Sequence, residues 1–271
     1  MKAARALKQA QTLADRLPKL ILAAERLAFI AAPGLHGRRR GGHGDSFWQF
    51  RDWQNGDDAR QIDWRRSAQG DRLYFREREW EAQASIALSL ENTPTLDFAS
   101  NKTLPTKHER AVLLLLALAS ILLRAGERVA LAGITSPVTG NRALHIIATA
   151  LATGGNASLD IKARRIRFGD FLQPNPDFTA PPGGAVVQIL DPAECDFPYR
   201  GRMIFEGFSN EPSLEAANAE NWAAAYRSRI LTQRDDVARA AMQSGQTPLF
   251  HRTDHPPTHA LAALYQALLR Q

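Results

Sequence analysis

Cysteine is almost absent from this chain, because Cys195 is the only one among 271 residues. A single thiol cannot form an internal disulfide, and it argues against a cysteine-based metal site. The neighbouring Glu194 and Asp196 place negative charge beside the thiol, which raises its pKa and reduces the reactive thiolate. The sequence therefore predicts a chemically inert cysteine.

Long hydrophobic runs are also lacking. The longest covers residues 111–123, is interrupted by Ser120 and ends before Arg124. A membrane span needs roughly 18 or more consecutive apolar residues, so this run predicts a buried helix instead. The N-terminus does not show a short apolar core followed by a cleavage site of small residues. We therefore expect a cytoplasmic protein.

Nucleotide-binding and nucleophile motifs are a third absence. The chain contains neither a GxxxxGK[ST] phosphate loop nor a GxGxxG motif after a predicted strand, and a nucleophile elbow is missing too. These motifs supply the backbone N–H groups or the activated hydroxyl of large enzyme classes. The sequence thus favours a protein that is not an enzyme and needs no organic cofactor.

Positive charge is concentrated at the N-terminus. Residues 1–40 hold nine Lys or Arg against Asp15 and Glu25, a net charge of +7, whereas the whole chain has +6. Apolar residues recur at helical spacing through the same segment. They are Leu13, Leu17, Leu20, Ile21, Ala24, Leu27 and Ala28. This predicts an amphipathic helix that either packs on its own domain or contacts anionic lipid or an acidic partner.

The most informative segment, 41–79, places aromatic side chains among densely alternating charges. Its core string is W-Q-N-G-D-D-A-R-Q-I-D-W-R-R-S-A, and it resembles the signature of the bacterial family called domain of unknown function fifty-eight. The resemblance continues nearly to the C-terminus. The charged and aromatic residues that carry it are Trp53, Asp57, Asp58, Arg60, Asp63, Trp64, Arg65 and Arg66.

The resemblance implies a von Willebrand factor A-like α/β domain and a partnership with a MoxR-type AAA+ ATPase. The implied function is a non-enzymatic adaptor that helps to assemble or activate a client protein, with the AAA+ partner supplying the ATP chemistry. Two other classes stay open. One is a membrane-surface protein that uses the basic N-terminal helix, and the other is a metal-dependent hydrolase. Nucleic acid is not an expected partner.

The charge balance of the signature supports the same view without the family. Between Arg38 and Glu81 there are ten Arg against nine Asp or Glu, whereas a nucleic-acid surface would show an excess of cations. The signature therefore acts either as a structural clasp or as a surface that recognises protein. In the clasp, Trp53 and Trp64 are mostly buried, and Arg60, Asp63 and Arg65 form charge-assisted bonds. Residues 61–64 and 71–76 read as short strands.

Beyond residue 84, apolar strands and helices alternate as in a parallel α/β domain. We predict a Rossmann-type sheet of strands 85–91, 128–134, 160–168 and 185–190, with the last of these central, flanked by helix 107–125. A short strand in 201–208, a long helix over 214–242, a late strand at 247–251 and a closing helix over 256–269 follow. The predicted divisions are 1–33, 34–84, 85–208 and 209–271, the last completing the α/β domain.

The resemblance also implies a degenerate metal-ion-dependent adhesion site. Glu91, Thr93, Thr95 and Asp170 take the positions of an Asp-x-Ser-x-Ser motif and a later Asp. Oxygen donors suit Mg²⁺ or Mn²⁺, but the longer Glu91 and the branched threonines disturb the geometry that Mg²⁺ needs. We therefore expect no bound metal, with Glu91 and Asp170 hydrogen-bonded to nearby hydroxyls or backbone N–H groups.

A second family-like motif follows strand 185–190. Asp191 is expected to cap a turn, and Glu194 is expected to pair with an arginine of the signature. Ahead of that strand, residues 173–184 contain four prolines and two glycines, so they cannot form the usual helix. That flank of the sheet is either bare or covered by another element or by a partner.

Overall fold

The computed structural model of the protein describes most of the chain. The described residues are 18–31, 47–52, 62–68, 70, 72–78, 85–158, 162–174, 176–208 and 212–269. The chain divides into two compact units, one formed by residues 1–34 together with 85–271 and the other by residues 35–84.

Helices and strands alternate through much of the described chain. The helices are α1 (18–31), α2 (Trp64–Ser67), α3 (Lys107–Arg124), α4 (Ala143–Thr153), α5 (Pro192–Asp196), α6 (Ala223–Gln243) and α7 (Pro257–Leu269). The strands are β1 (Phe47–Asp52), β2 (Tyr74–Arg78), β3 (Ser85–Leu90), β4 (Arg128–Leu131), β5 (Arg164–Gly169), β6 (Gly184–Leu190), β7 (Met203–Phe205), β8 (Leu214–Ala216) and β9 (Gln246–Arg252).

The larger unit is built on a parallel sheet with strand order β4-β3-β5-β6-β9. The four predicted strands all belong to it, and the predicted late strand adds β9 at one end. The predicted α/β class with flanking helices is therefore confirmed, and the architecture is consistent with a Rossmann-type, von Willebrand factor A-like fold. Strand 185–190 was predicted to be central, and β6 is an interior strand between β5 and β9, next to β5 in the middle of the sheet.

Helix α3 supplies much of the core. Thr106 caps its N-terminus, and Glu109 completes a capping box by accepting from the Thr106 N–H. Nearly every residue from Ala111 to Leu122 is buried, and the helix contacts strands β3 to β6 and helices α4 and α7. Each large aliphatic side chain buried in this way contributes about 1.5–3 kcal/mol of transfer free energy.

The proline-rich segment before β6 covers one flank of the sheet itself. Its described residues contain no helix, as predicted. Phe178 packs against Phe171 with ring centroids 5.1 Å apart, and both join Val186 of β6 and Val237 of α6 in one buried cluster. Neither a bare flank nor a partner is therefore needed to explain the missing helix.

The predicted start of the long helix was wrong because local propensity lost to tertiary packing. The predicted helix over 214–242 begins only at Ala223. Before it, β8 pairs with β7 in an antiparallel hairpin, and a 3-10 turn covers Ala219–Trp222. Ala216 and Ala219 are buried against Phe197 there, which anchors the hairpin to an aromatic cluster.

In the smaller unit, β1 and β2 form an antiparallel pair. The prediction of a strand over 61–64 was wrong, because α2 starts at Trp64. Asp63 caps this helix by accepting a hydrogen bond from the Arg66 N–H at 3.0 Å, as a good N-cap residue does. The strand predicted at 71–76 is β2, shifted two to three residues toward the C-terminus.

Helix α1 has an inner and an outer apolar side. Ala24, Leu27 and Ala28 are buried, as their helical spacing predicted. Phe29 and Ile30, by contrast, are mostly exposed. In the described part of the chain, no helix combines the length and apolar composition that crossing a membrane requires.

Candidate functional site

Acidic side chains gather where the parallel strands end. Glu91 follows β3, Asp170 follows β5 and Asp191 follows β6, and the carboxyl ends of parallel strands share one edge of a sheet. Open α/β sheets bind their ligands at this edge. We call Glu91, Asp170 and Glu194, together with Lys107, the strand-end cluster.

Lys107 is the centre of this cluster. Its Nζ lies 2.8 Å from Asp170 Oδ2 and 2.5 Å from Glu194 Oε1, and its side chain is 0% exposed. Lysine is among the residue types least often fully buried unless it is paired. The ammonium therefore provides the positive charge for two carboxylates that come from different parts of the chain.

From the sequence, Lys107 was predicted only to begin a helix. A signal was present, since a cation in the first turn opposes the helix dipole and calls for a local reason. The predicted pairing of Glu194 with an arginine of the signature stays a prediction, because Arg60 lies outside the described residues; the described cation partner of Glu194 is Lys107.

Glu91 is held by backbone, as predicted. Its Oε2 accepts a hydrogen bond from the Phe171 N–H at 2.9 Å. Burial raises the pKa of Glu91, and the negative charge of Asp170 adds to the rise, while the backbone donors lower it. The prediction for Asp170 was wrong in its partner, because Asp170 Oδ2 bonds the Lys107 ammonium rather than a hydroxyl or a backbone N–H.

The second side-chain oxygen of Asp170 does not share the lysine contact of the first. Asp170 Oδ1 is buried, and no described residue donates a conventional hydrogen bond to it. The Asp170 side chain nevertheless acts as a hydrogen-bonding neighbour that favours the protonated form of Glu91.

The threonines of the degenerate motif are directed to each other. Thr95 Oγ1 donates to Thr93 Oγ1 over 3.0 Å. Pro94 begins a 3-10 turn over Pro94–Asp97, in which Leu96 is buried. This turn uses both hydroxyls for its own structure.

Asp191 and Glu194 form a capping box on α5. Asp191 Oδ1 accepts from the Ala193 N–H at 2.8 Å, and Glu194 Oε2 accepts from the Asp191 N–H at 2.8 Å. Asp191 Oδ2 also accepts from the Ser100 N–H at 3.0 Å. The predicted capping role of Asp191 is therefore confirmed, and the box aims the second oxygen of Glu194 at Lys107.

A divalent cation does not fit these residues as they stand. Mg²⁺ needs near-octahedral oxygen ligands at about 2.0–2.1 Å. Asp170 and Glu194 of the strand-end cluster already bind the Lys107 ammonium. Outside the cluster, Thr93 is hydrogen-bonded to Thr95. Within the described ranges, no three His, Cys, Asp or Glu side chains are placed to hold a metal ion.

A crevice of about 270 Å³ opens beside Glu91. Phe168, Phe171 and Phe178 contribute its apolar walls, and Arg167 lies at its edge. The Arg167 guanidinium donates to backbone carbonyls of the proline-rich segment and to Gln246 Oε1, the latter at 2.8 Å. The crevice is below the usual 300–1,000 Å³ of small-molecule sites.

The signature is only partly described. Trp53, Asp57, Asp58 and Arg60 lie outside the described residues. Asp63 makes the predicted charge-assisted bond, through the Arg66 N–H.

Trp64 does not fit the predicted clasp. The prediction that it is mostly buried was wrong, because its side chain is 62% exposed. The physical reason is the short α2 helix, of whose four residues only Ser67 is buried. Ser67 fixes α2 to the next strand by accepting a hydrogen bond from the Tyr74 N–H at 2.9 Å.

Cys195 has the inert character that was predicted. Burial raises the pKa of its thiol to about 11, and Asp196 and Glu194 add to the rise, against the opposing charges of Arg252 and Arg234. The predicted direction of the pKa shift is confirmed, but burial, and not the two neighbouring acids, makes the largest contribution.

Comparison with known proteins gives one finding. A family model described as "Protein of unknown function DUF58" matches residues 49–236, which includes both the signature and the strand-end cluster. No curated protein is similar enough to count as a match.

Proposed function

The chain belongs to the DUF58 family of proteins of unknown function, and we propose that it is a non-enzymatic, cytoplasmic adaptor that works with a MoxR-type AAA+ ATPase. In this proposal the ATPase supplies ATP hydrolysis, and the chain recognises the ATPase or a client protein during assembly or activation. The signature provides the recognition surface.

The exposure of Trp64 is the observation that carries this proposal. A tryptophan that is 62% exposed contributes little to a core, and it lies beside Arg65 and Arg66, which are exposed as well. Trp and Arg are the residue types most enriched at binding hot spots. A structural clasp would bury this tryptophan, so its position favours protein recognition.

Replacing Trp64 with Ala tests the proposal. We expect the free energy of unfolding to change by less than about 1 kcal/mol, as is usual for an exposed site, while binding to the ATPase is lost. Binding of the purified MoxR-type ATPase from the same cell, and its rate of ATP hydrolysis, are the measurements. Unfolding in urea shows whether the variant is still folded.

Leu231→Ala is the matched control, since Leu231 is a large apolar residue on α6 that is 54% exposed. It should leave both folding and binding unchanged. Normal binding by Trp64→Ala would contradict the assignment of the recognition surface, and a loss of several kcal/mol in stability would restore the structural role.

A second candidate function rests on α1. Its outer side carries Lys19, Leu22, Arg26, Phe29 and Ile30, all exposed and spaced along one face of the helix. Basic and large apolar residues on one face suit the surface of an anionic membrane. Peripheral membrane contact is therefore compatible with the adaptor.

A further inference from the structure

We propose that Lys107 is a built-in cation of the strand-end cluster: its ammonium takes the place of a divalent ion and makes the cluster independent of metal. Lys107 thereby holds this edge of the sheet together. This role does not depend on the proposed adaptor function.

The ammonium lies where it can join elements that are distant in sequence. Lys107 reaches from the first turn of α3 to Asp170 at the end of β5 and to Glu194 in α5. The fully buried ammonium of α3 thus contacts acidic oxygens from two other parts of the fold, the end of β5 and helix α5. A metal ion placed among strand-end carboxylates does the same work, by neutralising charge and joining elements that are distant in sequence.

The orientation of the Glu194 carboxylate is set by its own hydrogen bonds. Each oxygen of Glu194 has its own partner, with Oε2 on the Asp191 N–H and Oε1 on Lys107. The capping box therefore fixes Glu194 independently of the lysine. If the ammonium were removed, the capping box would still hold Glu194 toward the position that the positive charge had occupied.

The Lys107 ammonium excludes a divalent ion from the same position. A divalent ion that bound Asp170 Oδ2 would lie within a few ångströms of the ammonium 2.8 Å from the same oxygen. Like charges repel strongly where water is excluded, as it is around this 0% exposed side chain. Lys107 and a divalent ion are therefore alternatives for one position.

Thermal unfolding with millimolar Mg²⁺, millimolar Mn²⁺ or a chelator tests the proposal in the full chain. We expect the melting temperature of the native protein to be the same in all three solutions. Lys107→Ala should have a lower melting temperature in chelator and should gain roughly 5 °C or more when Mn²⁺ or Mg²⁺ is saturating. Mg²⁺ keeps several waters when it binds one or two carboxylates, and the volume vacated by the lysine side chain admits them.

Two further variants separate metal binding from simple loss of packing. Lys107→Met fills most of the volume without charge, so it should lower the melting temperature but gain no response to metal. Lys107→Ala combined with Asp170→Asn should also lose the response. If Lys107→Ala does not fold in chelator, recovery of its far-ultraviolet circular dichroism on addition of Mn²⁺ becomes the readout.

Two results would overturn the proposal. One is a rise in the melting temperature of the native protein with Mg²⁺ or Mn²⁺ that disappears in Asp170→Asn, since the cluster would then bind metal with its lysine in place. The other is a Lys107→Ala variant that responds to neither ion, in melting temperature or in refolding.

Discussion

Glu91 gives the clearest prediction for a single residue. Burial raises its pKa above the ordinary 4.5, so the folded protein keeps this proton to a higher pH than the unfolded chain does. The resulting stability is present in full below the unfolded pKa and is lost as pH rises through the folded pKa. Glu91→Gln stays neutral at all pH values, so its stability relative to the native protein should increase as pH rises above the unfolded pKa.

Urea unfolding at a series of pH values measures the effect, and Asp177→Asn is the control with opposite sign. Thr179 donates its hydroxyl and its backbone N–H to Asp177, at 2.6 and 2.8 Å, and these bonds lower the pKa of Asp177. Asp177→Asn should therefore lose stability at pH 7 and approach the native protein in acid. Parallel pH profiles for Glu91→Gln and the native protein would show that folding does not raise the pKa of Glu91.

Which single residues could be predicted depended on whether their role is local. Asp191 caps the helix that follows it, and a cap is specified by its immediate neighbours. Lys107 was missed because its partners Asp170 and Glu194 are 63 and 87 residues away in sequence. Trp64 was misjudged because large aromatic residues are usually buried, and nothing nearby in sequence shows that α2 has only one buried residue.

At the scale of elements, the apolar runs gave reliable predictions. Strand β6 is buried at all seven positions, as a continuous apolar run in a parallel sheet requires. The start of α6 was missed because the burial of Ala216 against a distant aromatic cluster, and not local propensity, decides that 214–216 is a strand.

The proline-rich flank shows how polar side chains replace a missing helix. An irregular segment leaves backbone carbonyls without helical partners, and these need other donors when they are buried. Arg165 and Arg167 of β5 donate to Thr179 O, and Gln246 of β9 donates to Phe178 O. The prolines predicted the absent helix, but the donors lie on strands whose pairing the sequence does not state.

Helix α1 carries the prediction at this scale. Phe29→Ser combined with Ile30→Ser removes exposed apolar surface while the buried Ala24, Leu27 and Ala28 stay unchanged. If the outer side of α1 binds membranes, the native protein should sediment with vesicles rich in anionic lipid at low salt and be released at high salt. The double variant should bind at least about tenfold more weakly, since each lost apolar side chain removes roughly 1.5–3 kcal/mol at full burial.

Leu231→Ala again serves as the control, because Leu231 is exposed but lies on α6. Deleting residues 1–33 should abolish sedimentation as well. Equal binding by the native protein and the double variant, or binding to neutral vesicles that salt does not change, would exclude this use of α1.

At the scale of the whole molecule, the division of the chain separates two kinds of residue. The strand-end cluster belongs entirely to the unit formed by residues 1–34 and 85–271, and Trp64 belongs to the unit formed by residues 35–84. The family match spans both, so membership alone does not say which unit performs which task. The two proposals, recognition by the signature and a lysine cation in the sheet, can therefore be tested independently.

Replacing residues 35–84 with a flexible linker tests the two proposals separately. About 20 Gly and Ser residues span roughly 25 Å on average, and the entropy of closing such a loop grows only slowly with its length. Since the five-stranded sheet and its helices lie outside the replaced range, we expect this chain to unfold cooperatively in urea. It should also keep the metal-independent melting temperature and lose binding to the ATPase, as Trp64→Ala does in the full chain. Loss of cooperative unfolding would show that residues 35–84 complete the core of the larger unit, whereas retained ATPase binding would place recognition on the sheet.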